Sequence, residues 1–156
     1  MKQKLNCILL IDDDEPTNFL SNMLLDEANC TNHIQIEESG QKALEYLSKT
    51  NHFSNEKIRL TYPDLILLDV NMPAMNGWEF LDKYKDLKPD LHPGTVIIML
   101  TTSINPDDQL RAALLPMVAG FENKPLTNSM IQRIIKKHFN GSLGLKPVIS
   151  KWQPID

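Results

Sequence analysis

Five short apolar runs recur along the chain and predict five β-strands. Three of them contain no alternation of apolar and polar positions, which is typical of strands covered on both faces, as in a parallel sheet. The second run is weaker than the others because a glutamine interrupts it. The runs are Cys7–Ile11, Ile34–Ile36, Leu65–Leu68, Val96–Leu100 and Val118–Phe121.

Segments with helical spacing separate these runs and predict five helices. Apolar residues recur three and four positions apart, which places them on one face of each helix. Start signals support this reading, with Pro16 in a first turn and Ser39, Asn76 and Asn105 as N-caps. Asn140-Gly141 suits the end of the last helix. The predicted buried stripes are Phe19, Leu20, Met23, Leu24 and Ala28; Ala43, Leu44 and Leu47; Gly77, Phe80, Leu81 and Tyr84; Leu110, Ala113 and Leu114; and Met130, Ile131, Ile134, Ile135 and His138.

Strand and helix alternate five times, which predicts an α/β fold with a doubly wound five-stranded parallel sheet flanked by five helices. Two segments depart from this alternation. Residues 50–62 form a polar loop that is longer than usual, and residues 142–156 contain two prolines without strong periodicity. We therefore expect one domain over residues 1–140 and a C-terminal tail over residues 141–156. The tail carries four apolar side chains, Val148, Ile149, Trp152 and Ile155.

Composition and charge narrow the class of protein. Hydrophobic residues make up 42% of the chain and charged residues 23%, as in an ordinary globular domain. The net charge of −4 and the absence of a basic run argue against nucleic-acid binding. No apolar stretch approaches the roughly 20 residues that cross a bilayer, and residues 1–6 lack the apolar part of a signal peptide. Cys7 and Cys30 lack metal-ligand spacing, which predicts free thiols in a cytoplasmic protein.

Polar residues end four of the five predicted strands. The carboxyl ends of parallel strands meet at one edge of a sheet, where α/β proteins bind ligands. We therefore expect acidic groups, a hydroxyl group and an ammonium group to gather at that edge. The residues are Asp12, Asp13 and Asp14 after the first strand, Asp69 after the third, Thr101 after the fourth and Lys124 after the fifth.

This set of side chains predicts a magnesium site. Clustered carboxylates repel one another unless a cation lies among them. Ligands that are all oxygen, without sulfur or imidazole, favour Mg²⁺ over zinc. A carboxylate beside Mg²⁺ and a lysine can attack phosphorus, because the cations neutralise the incoming anion. The hydroxyl and ammonium groups then suit the oxygens of the resulting acyl phosphate.

Four motifs in this order resemble the CheY-like receiver family of two-component signalling, over about residues 5–139. The resemblance implies a flavodoxin-like sheet with strand order 2-1-3-4-5 and a single-domain response regulator in a phosphorelay. Each motif alone is weak, whereas all four at successive strand ends are specific. They are Ile8 to Asp14, Asp69 to Pro73 with Asn76-Gly77, Met99 to Thr101, and Gly120-Phe121 before Lys124-Pro125.

The resemblance assigns roles to the acidic residues. Asp69 accepts a phosphoryl group from a histidine kinase or phosphotransfer protein. Asp13, Asp69 and the backbone carbonyl of Asn71 bind Mg²⁺ directly, and Asp12 contributes through a water molecule. Such a domain is no enzyme in the ordinary sense, because it catalyses only its own phosphorylation and dephosphorylation.

The resemblance also implies how the signal is held and passed on. Thr101 and Lys124 contact the phosphoryl oxygens, and the Lys124–Pro125 peptide bond is commonly cis in the family. Phe121 matches the switch aromatic, which turns inward when Thr101 moves toward the phosphate. The switch would control binding to a downstream protein that the sequence does not identify. The apolar tail residues are expected to pack onto the domain or onto a second copy in a homodimer.

Several positions depart from the family pattern. Pro116 should end the fourth helix early and alter the surface beside Phe121. Thr102 is bulkier than the usual alanine and is expected to slow water attack on the phosphate. Asn71 and Ser103 occupy the two positions that tune phosphate lifetime, and neither carries a charge. The stretch from Thr101 to Asn105 and the long loop before the third strand resemble phytochrome-linked regulators.

Three other interpretations stay open at this point. A phosphatase of the haloacid-dehalogenase kind also combines aspartate, threonine, lysine and Mg²⁺, but its motif requires a threonine where this chain has Pro16. An inactive receiver used as a scaffold is disfavoured by the complete set of site residues. The chain could also be a receiver cut from a longer protein.

Overall fold

A computed structural model describes residues 4–52, 61–87, 92–102 and 104–139. The predicted tail, Asn140-Gly141 and most of the 50–62 loop lie outside these residues. Five strands and five helices alternate, and a short 3₁₀ turn at Lys85–Leu87 follows the third helix. The strands are β1 Leu5–Ile11, β2 Thr31–Glu37, β3 Leu65–Asp69, β4 Val96–Thr101 and β5 Val118–Asn123. The helices are α1 Glu15–Ala28, α2 Gly40–His52, α3 Gly77–Tyr84, α4 Pro106–Ala113 and α5 Asn128–Phe139.

The strands form one parallel sheet in the order β2-β1-β3-β4-β5, which confirms the predicted topology. Ile11 lies opposite Leu68, Asp69 opposite Leu100 and Thr101 opposite Asn123. Because these pairs lie at the strand ends, β1, β3, β4 and β5 finish at the same edge. A register shift between Ile97 and Ile98 adjusts the pairing of β4 with β5.

Two apolar layers cover the two faces of the sheet. One layer joins β1, β3, β4 and β5 to helices α2, α3 and α4, and includes Leu47, Phe80 and Phe121. The other joins the sheet to α1 and α5, and includes Leu25, Ile131 and Ile134. Burial on both faces explains why the strands lack alternation in the sequence.

The caps predicted from sequence are present at three helices. The Asn76 side chain accepts a hydrogen bond from the Glu79 amide, and the Glu79 carboxylate accepts one from the Asn76 amide, which makes a capping box before α3. Asn105 accepts from the Asp107 amide before α4. Ser39 accepts from the Lys42 amide at the start of α2. These contacts satisfy amide groups that have no partner within the helix.

The predicted buried stripe of α1 is wrong in its first half. Phe19 is 65% exposed, Leu20 57% and Met23 44%. Asn18, Ser21 and Leu25 face the protein instead. The Asn18 side-chain Nδ2 donates a hydrogen bond to the Asp12 carbonyl at 2.8 Å, which turns this polar residue inward.

The predicted stripe of α4 is wrong at its two leucines. Leu110 is 62% exposed and Leu114 is 70% exposed. Ala112 is the buried residue of this helix, and Ala113 is partly buried against the same layer. The helix ends at Ala113, before Pro116, as the proline predicts. The small alanines bring α4 against the sheet and leave its leucines in solvent.

Strand β2 forms one edge of the sheet and carries a row of linked polar side chains. His33 Nε2 lies 3.0 Å from Gln35 Oε1, and Gln35 Nε2 donates to Glu37 Oε1 at 3.3 Å. Alternate residues of a strand share one face, so these three side chains lie side by side. Ile34 and Ile36 turn to the opposite face and pack against the layer of α1 and α5.

Both cysteines are free thiols, as predicted, with Cys7 buried and Cys30 half-buried. Burial raises the pKa of Cys7 to about 11. Within the described segments, no helix combines the length and the apolar character needed to span a membrane. The cytoplasmic location stays a prediction.

Candidate functional site

Three carboxylates meet where β1 and β3 end. Asp12, Asp13 and Asp69 each place one carboxylate oxygen within 4.8 Å of the others. Asp12 is 6% exposed and Asp69 5% exposed, whereas Asp13 is exposed. The cluster is therefore largely shielded and reaches solvent through Asp13. The arrangement is compatible with binding a metal cation, since its donors are all carboxylate oxygens.

Lys124 brings a positive charge to the carboxylates from the loop after β5. Its Nζ donates to Asp12 Oδ2 at 2.6 Å and lies 3.4 Å from Asp69 Oδ1. The backbone holds the residue in place, because the Lys124 amide donates to the Thr101 carbonyl at 2.7 Å. The Lys124–Pro125 peptide bond is cis, as the resemblance implies. The sequence indicated that Lys124 lies at this edge, but not that it pairs most closely with Asp12.

The crowding of charges changes the proton affinities of the site. Burial and then the negative charge of Asp12 raise the pKa of Asp69 from 3.8 to about 6, although Lys124 opposes the shift. Burial alone would lower the pKa of Lys124, but the hydrogen bond and charge of Asp12 and the charge of Asp69 keep that pKa above its ordinary value. Near pH 7 the site therefore holds an ionised Asp69 beside a charged lysine.

Each residue in the acidic run after β1 has a different environment. The Asp12 carboxylate accepts a hydrogen bond from the Asp14 amide at 2.9 Å, which fixes its direction. Asp14 is the N-cap of α1 and accepts from both the amide and the hydroxyl of Thr17. The Thr17 hydroxyl and then its amide lower the pKa of Asp14. Asp14 is thus the capping residue of α1, whereas Asp12 and Asp13 belong to the carboxylate cluster.

The loop after Asp69 is held closely against the start of α3. The Gly77 amide donates to the Val70 carbonyl at 2.8 Å. A Cβ atom at Gly77 would lie 2.8 Å from the Asp69 carbonyl oxygen and 3.1 Å from Val70 Cα. Only glycine permits this close approach of two backbone segments. The Asn71 amide lies 3.4 Å from Asp69 Oδ1, at the limit of a hydrogen bond.

Thr101 and Thr102 complete the edge from β4. Thr101 is 1% exposed and lies at the end of the strand, whereas Thr102 is exposed. Ser103 lies outside the described residues. The structure therefore brings the predicted hydroxyl-bearing residue to the edge that carries Asp69 and Lys124.

Phe121 is buried, with 3% of its surface exposed, in the layer of α2, α3 and α4. Its ring lies 6.4 Å from the ring of Trp78, at an interplanar angle of 19°. The guanidinium carbon of Arg111 lies 4.5 Å from the centroid of the Trp78 ring. Local spacing in the sequence does not reveal this contact, because Phe121, Trp78 and Arg111 come from three different elements.

The geometry suits a particular kind of chemistry. An ionised carboxylate, a cluster of oxygen ligands and a fixed lysine can receive an anionic electrophile such as a phosphoryl group. Because Asp12 and Asp69 are buried and Asp13 is exposed, a reactant would approach from the Asp13 side.

Comparison with known proteins identifies the family. Residues 8–136 match the response regulator receiver domain. The chain is 30% identical over 131 residues to the two-component response regulator ORR1 of Oryza sativa subsp. indica, an alignment covering 83% of this chain and 53% of the relative. The chain thus spans about half the length of this rice protein.

Solved structures agree with this result. A two-component response regulator from Cytophaga hutchinsonii superimposes with a TM-score of 0.77 at 30% identity, covering 86% of this chain and 97% of the other. The phosphorylated cyanobacterial phytochrome response regulator RcpA gives a TM-score of 0.64 at 29% identity, covering 84% and 89%. These matches decide against the haloacid-dehalogenase alternative. The chain belongs to the response regulator receiver domain family.

Proposed function

We propose that this chain is a phosphorylation-dependent switch in a phosphorelay, with Asp69 as the phosphate acceptor. The observation that carries the proposal is the meeting of three carboxylates with Lys124, which lies 2.6 Å from Asp12 and 3.4 Å from Asp69. A structural ion pair would not require three acids at one edge. Membership of the receiver family supports the same role.

Mg²⁺ is the cation that fits this cluster. Ligands on opposite sides of a Mg²⁺ ion lie about 4.2 Å apart, since each Mg–O bond is about 2.1 Å long. The carboxylate oxygens all lie within 4.8 Å of one another, so they are near enough for one ion to bind more than one of them. Asp13, Asp69 and the Asn71 carbonyl would bind the ion directly and Asp12 through a water molecule. The bound ion would neutralise negative charge on the acceptor and on the incoming phosphoryl group.

The chemical step is an in-line transfer to the Asp69 carboxylate. An Asp69 oxygen attacks the phosphorus of a phosphohistidine, the phosphorus–nitrogen bond breaks, and the departing imidazole takes up a proton. The product is an acyl phosphate on Asp69. The Thr101 hydroxyl and the Lys124 ammonium group would donate hydrogen bonds to its oxygens. A pKa of about 6 leaves most Asp69 side chains ionised near pH 7, as a nucleophile requires.

Phe121 is the proposed switch residue. Phe121 is buried, so its side chain points inward in this structure. In the other state of the switch, the side chain would point outward, to the surface beside α4. Movement of Thr101 toward the phosphoryl group would change the space available to Phe121 and so its preferred position. The signal would then pass to a downstream protein.

The partners implied by this function are proteins. The phosphodonor would be a histidine kinase or a histidine phosphotransfer protein, and one structural relative is described as a phytochrome response regulator. A second copy of the chain is a further proposed partner, in a homodimer that forms through the apolar tail residues. Nucleic acid is not among the proposed partners, given the net charge of −4.

The test is labelling with acetyl phosphate in the presence of Mg²⁺, followed by intact-mass measurement. We expect one phosphoryl group on the native chain, none on Asp69→Asn, and none when a chelator removes the metal. Asp26→Asn is the matched control, because Asp26 is an exposed acid on α1 away from the site. Equal labelling of Asp69→Asn and the native chain would refute the assignment.

A second experiment tests the metal ligands. Asp13→Ala removes the exposed carboxylate of the cluster while leaving the two buried ones. We expect its affinity for Mg²⁺, measured by titration calorimetry, to fall by at least about tenfold, which corresponds to about 1.4 kcal/mol. Native affinity in this variant would remove Asp13 from the proposed ligands.

A further inference from the structure

Trp78 lies between the proposed switch residue and helix α4. It follows Gly77 in the first turn of α3 and is 8% exposed. One neighbour is Phe121, whose ring centroid is 6.4 Å away, and the other is Arg111 of α4, whose guanidinium carbon is 4.5 Å from the ring centroid. One indole ring therefore contacts β5 and α4 together.

Helix α4 buries little apolar surface, because the side chains that pack against the core are the small ones of Ala112 and Ala113. Ala112 is its buried residue, whereas Leu110 and Arg111 are exposed. A helix with little buried apolar surface changes its position at lower cost than a well-packed one. The stacking of Arg111 on Trp78 adds to what holds α4 in its observed place, since a guanidinium group over an indole face is an attractive contact.

Trp78 is also tied to the acceptor side of the site. The amide of its neighbour Gly77 donates to the Val70 carbonyl at 2.8 Å, directly after Asp69. The Gly77 backbone also packs closely on the Asp69 backbone, since a Cβ atom at Gly77 would lie 2.8 Å from the Asp69 carbonyl oxygen. The backbone next to Trp78 is therefore hydrogen-bonded to the segment after Asp69, while the indole ring contacts Phe121 of β5 and Arg111 of α4.

We propose that Trp78 is the positioning residue through which Phe121 acts on α4. A change in the Phe121 side chain alters the surface against which the indole ring packs, and the ring in turn moves or releases Arg111. The inference rests on the proposed function and adds the route by which phosphorylation of Asp69 reaches α4. Neither Trp78 nor Arg111 is a member of the carboxylate cluster, so both are distinct from the proposed phosphate-binding residues.

The experiment measures amide hydrogen exchange in α4 with and without beryllium fluoride and Mg²⁺, a mimic of the phosphoryl group. Allosteric coupling typically amounts to about fivefold or more, so we expect exchange in α4 of the native chain to change by about that factor. In Trp78→Leu and Arg111→Gln most of this change should disappear, while labelling by acetyl phosphate remains close to native. Trp78→Phe retains a stacking ring and should keep much of the response.

Arg133→Gln is the matched control, because Arg133 of α5 pairs with Glu122 of β5 at 2.7 Å and does not belong to the Trp78 contact. It should respond as the native chain does. The proposal is overturned if α4 responds fully in both Trp78→Leu and Arg111→Gln, if the Arg133 control loses the response as well, or if α4 of the native chain does not respond although Asp69 is labelled. Failure of the native chain to be labelled at all would instead overturn the proposed function, and the inference with it.

Discussion

At the scale of single residues, the site is governed by one lysine that faces two buried carboxylates. Lys124 is 2.6 Å from Asp12 and 3.4 Å from Asp69, so it offsets repulsion that the acids would otherwise exert on each other. The offset is incomplete, because the pKa of Asp69 is still raised to about 6. The protein therefore retains an electrostatic cost at Asp69, the proposed acceptor.

The first prediction concerns Asp69→Asn without divalent cations. The pKa of Asp69 is higher in the folded chain than its ordinary value of 3.8, so ionisation of this group disfavours folding. The protonated Asp69 carboxyl group contributes most to the stability of the folded chain below pH 4, and this contribution is lost as the pH rises through about 6. At pH 8 we expect Asp69→Asn to be more stable than the native chain, by at most about 3 kcal/mol, since a pKa change of one corresponds to about 1.4 kcal/mol.

Urea unfolding in the presence of a chelator measures this difference at pH 4 and pH 8. The advantage of the variant should be small at pH 4, where the native carboxyl group is mostly protonated. Asp26→Asn serves as the control and should show no such dependence. A difference between Asp69→Asn and the native chain that stays constant with pH would contradict the prediction.

The second prediction concerns Lys124→Met, which removes the ammonium group that faces Asp12 and Asp69. Without that charge, Mg²⁺ is repelled less by the site and no longer competes with an ammonium group for the Asp12 carboxylate. We expect Mg²⁺ affinity to increase by about tenfold, or about 1.4 kcal/mol, while acetyl phosphate labelling slows. Calorimetric titration and timed intact-mass measurements give the two values, and Lys137→Met on the exposed side of α5 is the control. Unchanged Mg²⁺ affinity would show that Lys124 does not compete with the ion.

At the scale of elements, strand positions and helix caps were predictable, whereas helix orientation was not. The five apolar runs became the five strands because burial on both faces leaves a clear signal. The predicted buried stripes of α1 and α4 were wrong because contacts with other segments set which face of each helix is buried. Asn18 turns inward because it reaches the Asp12 carbonyl, and α4 packs through Ala112. Such contacts depend on segments distant in sequence, and local spacing does not reveal them.

The third prediction concerns the junction of β3 and α3. In Gly77→Ala the added Cβ would lie 2.8 Å from the Asp69 carbonyl oxygen, and backbone atoms cannot move aside cheaply. We expect a loss of about 1–3 kcal/mol in the free energy of unfolding, as for other overpacked sites, together with slower labelling of Asp69. Gly94→Ala is the matched control, because a Cβ there meets nothing within 4 Å. Equal stability of the two variants in urea unfolding would refute the argument.

At the scale of the whole molecule, the sheet topology explains why the site could be predicted. The residues Asp12, Asp69, Thr101 and Lys124 are far apart in the sequence, but parallel strands in the order β2-β1-β3-β4-β5 bring them to one edge. The pairing of Lys124 with Asp12 and the contact of Trp78 with Phe121 and Arg111 were not predictable. They arise from side-chain packing after the sheet has formed.

The fourth prediction belongs to the same scale and concerns the C-terminal tail. We expect truncation after Asn140 to reduce thermal stability or to convert a dimer to a monomer, because it removes the apolar residues Val148, Ile149 and Trp152. Sedimentation velocity and thermal unfolding of the full and truncated chains distinguish the two effects. Identical behaviour of both chains would leave the tail without a part in folding or association.

The polar row on β2 has a consequence for how the protein behaves when it is concentrated. An edge strand offers unpaired backbone groups to which a strand of another molecule can add, and this is a common start of aggregation. At β2 an incoming strand would have to dehydrate the linked side chains of His33, Gln35 and Glu37 along one face. Growth of the sheet beyond β2 is therefore disfavoured, which helps the chain to remain dispersed in concentrated solution.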